Sequence, residues 1–138
     1  MRLVLVDDDS QSRRVLRKLI ERSTSFEIVG EASDGAEAVS LVAELQPDVV
    51  IMDMHMPVMD GAAATREIKR SAPKVHVLAC SAGDSPEARE AMRQAGVSGF
   101  VRKEDSDELL YELELRTMAD PSVSTDRSGT GGDPVTPG

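Results

Sequence analysis

Leu3-Val4-Leu5-Val6-Asp7-Asp8-Asp9 and Val49-Val50-Ile51-Met52-Asp53 decide how this chain folds. In each, a run of apolar residues ends abruptly in aspartate. Such a run, bounded by polar residues, predicts a short strand buried on both faces, as in a parallel sheet. Ligands of open α/β sheets sit at the carboxyl ends of the strands. Two such strands side by side bring Asp7, Asp8 and Asp53 to one rim. Carboxylates that close repel one another. A hard divalent cation with oxygen ligands would hold them, and an aspartate beside it is placed to attack phosphorus.

The pattern around these runs alternates strand and helix. Strands are expected at residues 3–6, 26–30, 49–52, 75–80 and 99–102. Ser10 is a candidate cap for the first helix, whose Val15, Leu16, Leu19 and Ile20 recur at helical spacing; Asp9 also fits a capping role. Ser33-Asp34-Gly35 opens a second helix with Ala38, Leu41, Val42 and Leu45 on one face, stopped by Pro47. Asp60 is a candidate cap for a third helix, running through Ile68 and ending before Pro73. Pro86 suits the first turn of a fourth, and Gly96 its C-terminal end. The last helix, 106–118, offers Leu109, Leu110, Leu113 and the Tyr111 ring for packing. Five strand–helix units predict one α/β domain, a flavodoxin-like (βα)5 fold with a five-stranded parallel sheet in the order 2-1-3-4-5 and helices on both faces. Strands one and three are then neighbours, which is what brings Asp8 and Asp53 together. Residues 119–138 are rich in Gly, Pro, Ser and Thr and read as a flexible tail or linker.

Composition narrows the function classes. The 138 residues suit one domain, and a 40% hydrophobic content supports a real core. Aromatic residues are confined to Phe26, Phe100 and Tyr111, so that core is aliphatic. A net charge of -9 argues against direct nucleic-acid binding. The nearest approach to a basic stripe, Arg13, Arg14, Arg17, Lys18 and Arg22, reads as a solvated helix face with acidic neighbours. Cys80 is the sole cysteine, so no internal disulfide is expected. No signal peptide is recognisable at Met1, and no apolar run approaches the roughly 20 residues needed to cross a bilayer. The expected location is the cytoplasm.

Two further strand ends add to the acidic rim. Ser81 follows the fourth strand, where a hydroxyl could hydrogen-bond an oxyanion. Lys103 follows the fifth, where an ammonium could pair with a phosphoryl group. An acid pair, an aspartate, a hydroxyl and an ammonium at one edge are individually weak signals and jointly strong ones.

With these residues in place, LVLVDDD, VVIMDMHMPVMDG, VLACSA and SGFVRK resemble the receiver domain of two-component response regulators, the CheY-like superfamily. GEASDGAEAV is similar to the LuxR-type branch. The resemblance covers residues 1 to about 118 and implies a Mg²⁺-dependent transfer of a phosphoryl group from a sensor histidine kinase. Asp53 would be the acceptor. Asp7, Asp8, Asp53 and the backbone oxygen of His55 would hold the metal. Ser81 and Lys103 would contact the phosphoryl group, and Ser81 and Phe100 would relay its presence to a protein-interaction surface. Phosphorylation-dependent homodimerisation through the last helices is a further expectation.

The family usually has proline after the lysine, whereas Glu104 follows Lys103 here. A cis bond at that point would cost about 3 kcal/mol, so a trans bond is expected. Three other classes compete. A haloacid-dehalogenase-type phosphatase wants a second aspartate where His55 stands. A flavodoxin wants a phosphate-cradling loop where Asp7-Asp8-Asp9 would repel the phosphate. A pseudo-receiver, binding partners without phosphorylation, stays open, as does the possibility that this is the N-terminal part of a DNA-binding regulator.

Overall fold

The computed structural model describes residues 1–54, 56, 59–81, 85–102 and 106–118; of Ser81, Ser106, Asp107 and 116–118 it describes the backbone alone. Expectations placed on His55, Lys103, Glu104 and the 119–138 tail lie outside the described residues. The elements follow in the order β1 (Arg2–Val6), α1 (Ser10–Ile20), β2 (Glu27–Ala32), α2 (Gly35–Leu45), β3 (Val49–Asp53), α3 (Gly61–Ser71), β4 (His76–Ser81), α4 (Pro86–Ala95), β5 (Gly99–Arg102) and α5 (Ser106–Met118). All pairings are parallel, and the sheet order is β2-β1-β3-β4-β5, the flavodoxin-like arrangement expected from the sequence.

Side chains alternate across a strand, so each apolar run feeds two cores. Val4, Val6, Val50, Met52, Val77 and Ala79 pack on one side with Ala38 and Val42 of α2, Ala64 and Ile68 of α3, and Met92 of α4. Leu3, Leu5, Val49, Ile51, Leu78 and Cys80 pack on the other with Leu16, Leu19 and Ile20 of α1 and Leu109 and Leu113 of α5. Every residue of β3 is buried. Burying one such aliphatic side chain is worth about 1.5–3 kcal/mol, so the central strand is the best-anchored element.

Local chemistry sets the helix ends. Asp34 Oδ1 accepts from the Glu37 amide and Asp60 Oδ1 from Ala63, each capping its helix as the sequence suggested, and Ser85 Oγ accepts from Ala88 at the start of α4. A cap of this kind is worth about 1 kcal/mol. Pro86 occupies the first turn of α4, and Gly96 ends that helix at a φ of 109°, a left-handed conformation suited to glycine. At α1 the cap is Asp9, whose Oδ1 accepts from the Gln11 amide, and Ser10 is the first helical residue.

Three sequence expectations are corrected. β2 is Glu27–Ala32, shifted towards the rim from the expected 26–30. A bulge between Leu3 and Val4 lets β1 pair onward to Glu31 and Ala32, and ion pairs from α1 accommodate the Glu31 charge. Val15 is 59% exposed, because the buried stripe of α1 is Leu16, Leu19 and Ile20. Tyr111 is 62% exposed, so α5 packs through Leu109 and Leu113 and leaves the ring in solvent.

Candidate functional site

β1 and β3 are adjacent, with Val6 opposite Met52. The next residues along the two strands, Asp7 and Asp53, therefore emerge side by side. One carboxylate oxygen from each of Asp7, Asp8 and Asp53 lies within 4.8 Å of the others. Asp7 and Asp53 are buried, at 1% and 4% exposure, whereas Asp8 is exposed. The cluster thus has two sheltered walls and one face open to solvent. Burial and like charge both disfavour ionised carboxylates, and a small hard cation with oxygen ligands relieves both. The donor set fits Mg²⁺, which binds through a few carboxylates and keeps several waters.

Asp7 is held from several directions. Its amide donates to the Ala32 carbonyl on β2 at 3.0 Å. Its Oδ1 accepts from the Asp9 amide at 2.9 Å. Its backbone carbonyl accepts from Arg13 Nη1 on α1 at 2.6 Å. Arg13 Nε donates to Glu31 Oε1 at 3.1 Å, and Arg17 Nε donates to Glu31 Oε2 at 2.5 Å. The Glu31 carboxylate raises the already high pKa of Arg17. The basic face of α1 is therefore only partly the solvated stripe expected: the Arg13 side chain is 20% exposed and tied to the rim.

Asp53 ends β3 opposite Cys80, and the Met54 amide donates to the Cys80 carbonyl at 3.2 Å. Two glycines let the surrounding helices close in. A β-carbon on Gly61 would lie 2.3 Å from the Asp53 carbonyl oxygen, and one on Gly35 would lie 2.2 Å from the Met59 carbonyl oxygen. Both positions require glycine, for close approach of backbone to backbone.

On the far side of the site, Ser81 ends β4 opposite Arg102 of β5. Its backbone stands at the expected rim. Lys103, the next residue in the sequence, lies outside the described residues. Phe100 lies on β5 opposite Ala79, half-buried, with the Arg89 guanidinium 4.3 Å and the Arg93 guanidinium 5.6 Å from its ring centroid. The structure thus brings together Asp7, Asp8 and Asp53. Arg13, Gly61 and Arg89 were not singled out as functional residues in the sequence. An Asp-Gly pair at 60–61 was visible there as a turn and cap signal, but nothing local revealed the backbone approach behind it.

Residues 3–114 match the family model described as the response regulator receiver domain. The protein-glutamate methylesterase/protein-glutamine glutaminase 5 of Myxococcus xanthus (strain DK1622) is 41% identical over 117 residues, which are 82% of this chain and 33% of that protein. The chemotaxis protein CheY of Halobacterium salinarum is 39% identical over 101 residues, covering 73% of this chain and 82% of that one. A crystal structure of a LuxR-family two-component response regulator from Aurantimonas sp. SI85-9A1 aligns with a TM-score of 0.81 at 34% identity, over 86% of this chain and 85% of that one. The chain spans about a third of the length of the methylesterase relative.

Proposed function

The chain belongs to the response regulator receiver domain family, and from that premise we propose that Asp53 is its phosphoryl acceptor and that residues 1–118 are the receiver unit, with 119–138 a linker or tail. Receiver domains bind Mg²⁺ at acidic residues and interact with histidine kinases and downstream targets. The observation that carries the assignment is the convergence of Asp7, Asp8 and Asp53 within 4.8 Å at the carboxyl end of the sheet.

In this reading an Asp53 carboxylate oxygen attacks the phosphorus of a phosphohistidine on the kinase. A P–O bond forms, the P–N bond breaks, and the imidazole leaves as its nitrogen takes up a proton. When bound, the metal supplies Lewis-acid neutralisation of charge on the phosphoryl oxygens. Asp7, Asp8 and Asp53, with the backbone oxygen of His55, would hold it. Lys103 neutralises the phosphoryl group from the β5 side, and Ser81 donates its hydroxyl to it. Burial of Asp53 limits water access to the acyl phosphate.

The added charge and acceptor oxygens then bias a pre-existing equilibrium at α4, β5 and α5. Ser81 moves towards the phosphoryl group, and Phe100 turns inward behind it. A shift from mostly inactive to mostly active requires the phosphoryl group to favour the active form by a few kcal/mol. The output is a protein contact, with self-association through the last helices as one form. Among the described residues no helix is long and apolar enough to cross a membrane, and we place the domain in the cytoplasm with its kinase partner.

Intact-mass measurement after incubation with acetyl phosphate tests the assignment. A single phosphoryl adduct that requires Mg²⁺ and is absent from Asp53→Asn is expected. An adduct that persists in Asp53→Asn would move the acceptor elsewhere. A folded, Mg²⁺-binding protein that takes up no phosphoryl group from acetyl phosphate or a phosphorylated histidine kinase would favour the pseudo-receiver.

A further inference from the structure

Arg13 lies at the end of the first turn of α1, where a cation opposes the positive end of the helix dipole. A residue that breaks a local rule invites a search for what it does elsewhere. Its guanidinium leaves the helix and joins two other elements. Nη1 donates to the Asp7 carbonyl at 2.6 Å, and Nε donates to Glu31 on β2 at 3.1 Å. Arg17 holds the second oxygen of the same glutamate, and Arg17 Nη1 donates to Glu21 at 3.0 Å. The chain Glu21–Arg17–Glu31–Arg13 thus ends on the peptide that joins Asp7 to Asp8.

We propose that Arg13 is a positioning residue for the acidic pair, gripping the Asp7 carbonyl so that the Asp7–Asp8 peptide presents both carboxylates towards the cation site. Glu31 and Arg17 hold the grip. A free guanidinium samples many rotamers, whereas one bonded on two sides keeps a single direction. Partial burial of the pair, with side chains 20% and 29% exposed, shields it from salt more than a fully exposed ion pair. The inference rests on the assignment of Asp7, Asp8 and Asp53 as the Mg²⁺ site.

Charge and positioning make opposite predictions. As a bare cation near the carboxylates, Arg13 would weaken Mg²⁺ binding, and its removal would tighten it. As a positioning residue it strengthens binding, and its removal weakens it.

The experiment is calorimetric titration of the full chain with MgCl₂ for wild type, Arg13→Met and Arg13→Lys. It is paired with metal-free hydrogen exchange at the Asp9 amide, which donates to Asp7 Oδ1 at 2.9 Å. In Arg13→Met the dissociation constant is expected to rise about tenfold, with faster exchange at Asp9 and unchanged exchange in β3. Arg13→Lys keeps the charge but not the two-sided grip, so both readouts should fall between wild type and Arg13→Met. Mg²⁺ affinity that is equal or higher in Arg13→Met would overturn the proposal. A loss of thermal stability without change in affinity or Asp9 exchange would overturn it too, leaving a merely structural ion pair. Should Arg13→Met not fold, Arg13→Lys carries the test alone, and wild-type affinity in it overturns the proposal. Wild type that binds no Mg²⁺ refutes the site assignment instead, and the metal-free exchange then decides whether Arg13 holds the Asp7–Asp8 turn.

Discussion

The first residue of α3, Gly61, lies so close to the Asp53 backbone that a β-carbon would sit 2.3 Å from the Asp53 carbonyl oxygen. The neighbour here is backbone of the central strand, which has no rotamer by which to escape. Gly61→Ala is therefore expected to destabilise the fold by about 1–3 kcal/mol, the usual range for overpacking. The part of the clash relieved by movement displaces Asp53, so Mg²⁺ affinity should fall as well. Urea unfolding with and without Mg²⁺ measures both effects. A Gly61→Ala protein with wild-type midpoint and affinity would contradict the close approach.

Crowding of Asp7, Asp8 and Asp53 stores repulsion in the metal-free protein. Asp53→Asn removes one charge at nearly constant shape. It should raise metal-free stability by about 1 kcal/mol and shrink the stabilisation that wild type gains from Mg²⁺. Thermal melts without Mg²⁺ and with about 10 mM Mg²⁺ compare the two proteins. Equal Mg²⁺-induced shifts in both would mean that Asp53 is not a ligand.

Thr65 is a different kind of internal cost. It is fully buried on α3, and its hydroxyl has no hydrogen-bond partner among the described residues. Desolvating a hydroxyl without compensation costs about 1–3 kcal/mol. Thr65→Val puts a methyl group in its place and should stabilise the protein by about 1 kcal/mol. A loss of stability on chemical denaturation would reveal a partner for the hydroxyl.

Arg89 stacks over Phe100 at 4.3 Å from the ring centroid. Cation–π contacts of this sort are worth about 0.5–1 kcal/mol when exposed. A double-mutant cycle of Arg89→Ala and Phe100→Leu should give a coupling energy of about that size. Since the contact restrains the ring, Arg89→Ala should also broaden the rotamer distribution of Phe100, read from aromatic NMR couplings. Zero coupling would show that the guanidinium and ring are merely neighbours.

Much of this molecule was legible because its signals are local. Apolar runs ending in aspartate gave β1 and β3, and their adjacency followed from the rules of parallel topology. Asp34, Asp60, Pro86 and Gly96 marked helix ends through chemistry confined to a few residues. What escaped was set by distant partners. The β2 boundary depends on Glu31 being paired by Arg13 and Arg17, which stand 18 and 14 residues away in sequence. Val15 fits the helical period of α1 but falls just outside the stripe that the sheet covers. Tyr111 adjoins the packing residues of α5 yet points outward. The acid cluster was readable as an outcome of topology, whereas the hold of Arg13 on the Asp7 carbonyl required the backbone trace.

The sheet order puts the acid site and Phe100 in unlike places. β3 is paired on both edges and buried along its length, while β5 closes the sheet and pairs with β4. The chemistry proposed at Asp53 therefore rests on a strand held along both edges and buried throughout. Phe100, with Arg89 and Arg93 over its ring, stands instead on an outermost strand, which is paired along one edge. In the proposed reading, a domain divided in this way sets a rigid seat for chemistry beside a looser border, so that a small change at the seat is expressed where the sheet yields most readily.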